Sequence, residues 1–135
     1  MLDLKGRTVF IIEDDLGNRA IMQTLLEQAG AKVFFERWGT ESVEKLKEVA
    51  AVDIILLDLM FPRGVTGYDV FDAIRKELQF QEVPIVAVSA SEPTISIPKT
   101  QEKGFSGFIS KPVDFDNFSK QVGTILDKGS VWDVG

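Results

Sequence analysis

Val9-Phe10-Ile11-Ile12-Glu13-Asp14-Asp15 (VFIIEDD) passes from four consecutive apolar residues straight into three carboxylates. A strand with one wet face alternates apolar and polar side chains, because successive residues point to opposite faces of the sheet. A run that is apolar at every position suits a strand covered on both faces, as in a parallel sheet between layers of helix. The change to charge marks where the strand leaves that interior, since an unpaired buried carboxylate is costly. Glu13, Asp14 and Asp15 must then meet water or a compensating cation.

Working outward, Thr8–Ile12 is the first of five such runs, followed by Lys32–Phe35, Ile54–Leu57, Ile85–Val88 and Gly107–Ile109. Amphipathic segments separate them. Ile21, Leu25, Leu26 and Ala29 recur at helical spacing before Gly30, and Thr40 is placed to cap a helix carrying Val43, Leu46 and Val49. Val70, Phe71, Ile74 and Leu78 form a third stripe, and Phe115, Phe118, Val122, Ile125 and Leu126 a last one, with Asp114 as its capping candidate. Pro93 and Pro98 limit the fourth helix, which is expected to be short and to start near Pro98. A repeated β-α pattern predicts an α/β fold: a doubly wound, five-stranded parallel sheet with helices on both faces and right-handed crossovers. The flavodoxin-like order 2-1-3-4-5 suits five strands and makes strands 1 and 3 neighbours at the switch point, where ligands bind beyond the carboxyl ends. One domain is expected over residues 1–128, with 129–135 as a short C-terminal tail that either frays or docks Trp132 on a neighbouring surface.

Composition narrows the chemistry. The 135 residues are 44% hydrophobic, enough for one core, and 21 acidic against 15 scattered basic residues argue against a nucleic-acid-binding surface. With no Cys and no His, disulfides, thiolate metal sites and imidazole catalysis are excluded. The N-terminal stretch is not a signal peptide and no window suits a membrane span, so the default location is the cytoplasm.

The residues just past each run collect at one edge of the predicted sheet: Glu13, Asp14 and Asp15, then Asp58, Ser89 and Lys111. Adjacent strands 1 and 3 put Asp58 beside the acidic cluster, an arrangement that raises a carboxylate's pKa unless a cation sits among them. Hard oxygen ligands partly open to water suit Mg²⁺, which commonly bridges carboxylates to a phosphate. Lys111 and Ser89 supply a point charge and a hydroxyl donor for phosphoryl oxygens, leaving Asp58 as the candidate acceptor. Asp15, just ahead of the first helix, reads as a helix cap.

In order and spacing, IIEDD, IILLDLM, VSA and SKP resemble the receiver domains of two-component response regulators over nearly the whole chain. The resemblance implies a stand-alone receiver in which Asp58 takes a phosphoryl group from a sensor histidine kinase or phosphotransfer protein. It implies Mg²⁺ organised by Glu13, Asp14, Asp58 and the Met60 carbonyl, directly or through water. Lys111 would pair with the acyl phosphate, Ser89 would turn to it, and Phe108 would occupy the aromatic switch position. Signalling would pass through an unknown downstream protein or onward phosphorelay, without nucleic acid or membrane, and a homodimer is left open. DLMFPRGVTG, Asp58 to Gly67, is one residue longer before its glycine than the family's habit, which predicts an altered loop beside Asp58. The alternative is a Mg²⁺-dependent aspartyl phosphohydrolase, but such enzymes usually place a second Asp where this chain has Met60. A flavin-binding module would want a phosphate-cradling loop in place of three carboxylates.

Overall fold

The computed structural model describes residues 4–37, 39 and 41–134. Six parallel strands form one sheet: β1 (Thr8–Ile12), β2 (Lys32–Glu36), β3 (Ile54–Leu57), β4 (Ile85–Ser89), β5 (Gly107–Ser110) and β6 (Val131–Trp132), in the order 2-1-3-4-5-6. Five helices connect them: α1 (Leu16–Gln28), α2 (Ser42–Glu48), α3 (Gly67–Arg75), α4 (Pro93–Lys103) and α5 (Phe118–Leu126). None of these is long and apolar enough to cross a membrane.

The uninterrupted apolar runs have the cause inferred above. Val9, Ile11, Ile54, Leu56, Val86, Val88 and Ile109 pack with Met22 and Leu26 of α1 and Phe118, Val122 and Ile125 of α5. Their strand neighbours Phe10, Ile12, Ile55, Leu57, Ile85, Ala87 and Phe108 face the other way, onto Leu46, Val70, Phe71 and Ile74 of α2 and α3, with Ile97 of α4 at the margin. Each of β1, β3, β4 and β5 therefore feeds two cores; β2 departs from the expectation, since at the sheet edge it leaves Phe34 and Phe35 exposed. A fully buried Ile or Phe contributes about 1.5–3 kcal/mol, so the central strands fix the fold.

Several expectations are corrected. The sheet has six strands rather than five: Val131 and Trp132 pair with Gly107 and Phe108, so this stretch is not frayed. Trp132 packs against the cluster containing Phe108, and Asp133 donates its N–H to the Phe108 carbonyl at 2.9 Å. The fourth helix begins at Pro93, not near Pro98. Pro93 occupies the first turn, where no N–H is needed, and Glu92 caps it by accepting from the Thr94 N–H, so Pro98 falls inside a helix of 11 residues. Leu78 is 85% exposed because α3 ends at Arg75 and a 3-10 turn, Leu78–Phe80, turns Phe80 inward instead. Phe115 is 65% exposed and precedes α5, whose N-cap is Asn117. Asp114 organises that entry, accepting from the Asp116 N–H at 2.9 Å and Asn117 Nδ2 at 2.8 Å. Thr40, the expected cap of α2, lies outside the described residues; the residue at the N-cap is Glu41.

Candidate functional site

Register brings the strand ends together. Ile12 pairs with Leu57 and Ser89 with Ser110, so Glu13, Asp58, Ser89 and Lys111 all emerge at the carboxyl edge. Backbone bonds pin that edge: the Asp58 N–H donates to the Ile12 carbonyl at 3.0 Å and the Lys111 N–H to the Ser89 carbonyl at 2.9 Å.

Lys111 Nζ lies 2.7 Å from Glu13 Oε1 and 3.3 Å from Asp58 Oδ2. Glu13 is 1% exposed and Asp58 7%. Burial, foremost, and the Asp58 charge push the Glu13 carboxyl up to about 7, against the opposing hydrogen bond from Lys111. Burial works against the Lys111 ammonium too, but the hydrogen bond to Glu13 and the two nearby carboxylates outweigh it and hold its pKa above the ordinary lysine value. The ammonium is thus a fixed cation shared by carboxylates from β1 and β3.

Glu13, Asp14 and Asp58 each offer an oxygen within 4.8 Å of the others, an all-oxygen donor set suited to a hard divalent ion. Glu13 Oε2 already accepts from the Asp15 N–H at 3.2 Å, and Asp58 Oδ1 from the Leu59 N–H at 2.7 Å. Asp14 is half-buried and takes no hydrogen bond or ion pair among the described residues, which leaves its oxygens open. With three carboxylates facing one ammonium, the edge is short of positive charge whenever all three are ionised. The Met60 carbonyl is taken by no backbone N–H among the described residues, although Met60 bridges Thr66. Donor chemistry and free valences fit Mg²⁺. Asp15, as expected, caps α1 by accepting from the Asn18 N–H at 2.8 Å.

The long loop after β3 is folded back on itself. Phe61 N–H donates to the Val65 carbonyl at 3.1 Å and Gly67 N–H to the Leu59 carbonyl at 2.9 Å. Arg63 and Gly64, at φ 64° and 76°, make the reversal in consecutive left-handed conformations. Gly67 packs on the backbone beside Asp58. A Cβ at Gly67 would overlap the Asp58 carbonyl oxygen and come within 2.7 Å of Leu59 Cα.

Ser89 is on the edge, 1% exposed, but its hydroxyl turns to Ser91: it accepts from the Ser91 N–H at 3.1 Å and donates to Ser91 Oγ at 3.0 Å. Phe108 is fully buried in the core of the α2–α3 face. Sequence reasoning passes over Ser91 and Ser96, whose hydroxyls continue from Ser89; the serine-rich VSASEPTIS is the only signal of them. It also passes over Asp133, whose backbone carbonyl accepts from Ser110 Oγ at 3.1 Å.

The model of the family described as the response regulator receiver domain matches residues 9–123. The chain is 30% identical over 127 residues to the peroxide stress-activated histidine kinase mak1 of Schizosaccharomyces pombe, covering 90% of this chain but only 8% of that kinase. It is 26% identical over 120 residues to the polar-differentiation response regulator DivK of Brucella ovis, covering 89% of this chain and 96% of DivK. Among solved structures, the chemotaxis response regulator CheY4 of Vibrio cholerae matches with a TM-score of 0.77 at 22% identity, over 86% of this chain and 95% of that one. The bacteriophytochrome response regulator RtBRR matches with a TM-score of 0.73 at 27% identity, over all of this chain and 82% of that one.

Proposed function

The chain belongs to the response regulator receiver domain family, and on that basis we propose that it is a phosphorylation-operated switch with Asp58 as the acceptor. Receiver domains are signalling switches rather than enzymes, and their partners are histidine kinases or phosphotransfer proteins. The donor here would be a phosphohistidine of such a partner. A carboxylate oxygen of Asp58 attacks phosphorus, the P–O bond forms as the P–N bond breaks, and the bond's electron pair returns to the imidazole nitrogen. The observation that carries this reading is the convergence of Glu13, Asp58 and Lys111, with Lys111 Nζ 2.7 Å and 3.3 Å from the two carboxylates.

Each group has a task in that step. Backbone N–H groups of Leu59 and Met60 hold Asp58 Oδ1, which fixes the carboxylate plane and leaves Oδ2 toward Lys111. Lys111 is placed to draw negative charge from the phosphoryl oxygens, because it already sits at the mouth of the cluster with its ammonium held charged. Mg²⁺ held by Glu13, Asp14, Asp58 and the Met60 carbonyl would neutralise phosphoryl charge during transfer. Asp14, with no hydrogen-bond or ion-pair partner among the described residues, is the ligand best free to bind directly. The new group would bring roughly −1.5 to −2 charges and three acceptor oxygens, if an acyl phosphate behaves like other phosphorylated side chains. Ser89 turning to it and Phe108 repacking would bias the faces that partners read.

The test is mass spectrometry after incubation with acetyl phosphate and Mg²⁺. Wild type should gain one phosphoryl group and Asp58→Asn none; an unchanged wild type, or labelling that survives the substitution, overturns the reading.

A further inference from the structure

Sheet edges in native proteins are blunted by shortness, charge, proline or a bulge, because their unpaired backbone groups invite another strand. The two ends of this sheet differ. One is finished by β6, two residues long; the other is β2, Lys32-Val33-Phe34-Phe35-Glu36, with Phe34 37% and Phe35 42% exposed. Register shows which backbone groups β2 still offers. The Lys32 N–H donates to the Arg7 carbonyl at 2.9 Å, and the Glu36 carbonyl accepts from the Glu13 N–H at 3.0 Å. Because bonding alternates along a strand, Lys32, Phe34 and Glu36 turn their backbone groups to β1. The N–H and C=O of Val33 and Phe35 then point away from the sheet, where no strand of the described residues meets them. The Ala31 N–H is already taken by the Leu26 carbonyl at 3.0 Å, so the open ladder starts at Val33.

We propose that this edge pairs with the same edge of a second copy, antiparallel and centred on Phe34, to give a two-fold dimer with one continuous sheet. In that register Val33 of each copy faces Phe35 of the other as a hydrogen-bonded pair, and the exchange uses every outward N–H and C=O of both residues. Phe34 meets Phe34 across the axis in the non-hydrogen-bonded pair, where side chains stand closest. Lys32 stands opposite Glu36 at both ends, whereas parallel pairing in register would set Lys32 beside Lys32 and Glu36 beside Glu36. The strand is thus complementary to itself in hydrogen bonds, apolar side chains and charge, which is what a two-fold contact requires. The Arg19 guanidinium, 3.8 Å over the Phe35 ring, already restrains that ring, so less freedom is lost on pairing. Assembly stops at two copies, because pairing consumes the β2 edge and the short β6 blunts the other. None of this depends on Asp58 or its phosphorylation.

The sequence has no cysteine, so Phe34→Cys introduces a single thiol. Residues opposed in a non-hydrogen-bonded pair have Cα atoms about 4.5 Å apart, and those in a hydrogen-bonded pair about 5.5 Å, both within disulfide reach. Under mild oxidation Phe34→Cys should therefore run as a covalent dimer on a non-reducing gel. Val33→Cys and Phe35→Cys should each cross-link poorly alone and join when mixed, since these positions face each other and not themselves. The reverse pattern, or cross-linking indifferent to position, overturns the pairing. Sedimentation equilibrium of the wild-type chain should show a monomer–dimer equilibrium. Phe34→Lys, which sets like charges across the axis, should weaken it about tenfold or more. Phe34 lies outside both core clusters, so the circular dichroism of that variant should match wild type. A wild type that stays monomeric up to about 1 mM, or a dimer that Phe34→Lys leaves intact, overturns the proposal.

Discussion

Glu13 is the residue on which the edge turns, because it is buried yet acidic and, among the described residues, meets one cation, Lys111 at 2.7 Å. Replacing Lys111 with Ala leaves Glu13 and Asp58 facing each other without compensation, and should cost about 1–3 kcal/mol, the penalty for a buried group stripped of its partner. Urea denaturation in EDTA measures it; a variant as stable as wild type would mean the ammonium compensates nothing. The same deficit of positive charge predicts a metal effect. Mg²⁺ at ten times its dissociation constant should stabilise wild type by about 1.4 kcal/mol over the chelated chain, and Lys111→Ala should gain more at the same concentration. Gly67 matters for a different reason: its missing side chain lets the loop close on the Asp58 backbone. Gly67→Ala should cost about 1–3 kcal/mol by forcing that backbone aside, and should weaken the Mg²⁺ gain along with stability. The acidic residues and Lys111 were readable because a charge at the end of an apolar run has few uses. Ser91 and Ser96 were not, since a hydroxyl is at home in turns, helices and strands alike and only geometry shows which others it meets.

At the level of elements, legibility followed the strength of burial. Strands β1 and β3 have the bounds expected of them because every residue but Thr8 is buried, and an apolar run has no other reading there. Helix ends were harder, because apolar spacing can continue past the last hydrogen-bonded turn. Leu78 keeps the rhythm of α3, but the guanidinium of Arg75 donates from Nη1 to the carbonyls of Phe80 and Val83, each at 2.7 Å, and stacks 5.0 Å from the Phe71 ring. That clamp shapes the connection to β4 so that Phe80 goes in and Leu78 out. Arg75→Ala should therefore lower stability by about 1–3 kcal/mol, and Arg75→Lys should recover little, since an ammonium lacks the flat guanidinium that lies over Phe71 while donating. Thermal denaturation decides it; full recovery by lysine would reduce the clamp to a simple charge. In α4, Pro93 supports the first turn while Pro98 sits inside the helix, and residue type alone did not distinguish those two roles.

Across the whole molecule, β6 was the least legible part, since two residues, Val131 and Trp132, are too short a run to announce a strand. What makes it one is the edge it finds: β5 would otherwise end the sheet with unpaired backbone groups, and Trp132 joins the cluster that buries Phe108. The contact is tied at Ser110 as well, where the Asp133 carboxylate accepts from the Ser110 N–H at 3.4 Å and from Gln121 Nε2 at 3.5 Å. Removing residues 130–135 should cost about 2 kcal/mol, from partial loss of one aromatic burial and the edge hydrogen bonds. Against the roughly 5–15 kcal/mol of an ordinary domain, the shortened chain should still fold. Its exposed β5 edge should then promote self-association, seen as earlier elution on gel filtration at rising concentration. The Mg²⁺ stabilisation should survive, because the carboxylates come from β1 and β3 and β6 lies beyond β4 and β5 in the sheet order. A truncated chain that kept full stability would make β6 an ornament of the edge, and one that lost its Mg²⁺ response would tie the acidic site to Phe108 and the strand that covers it.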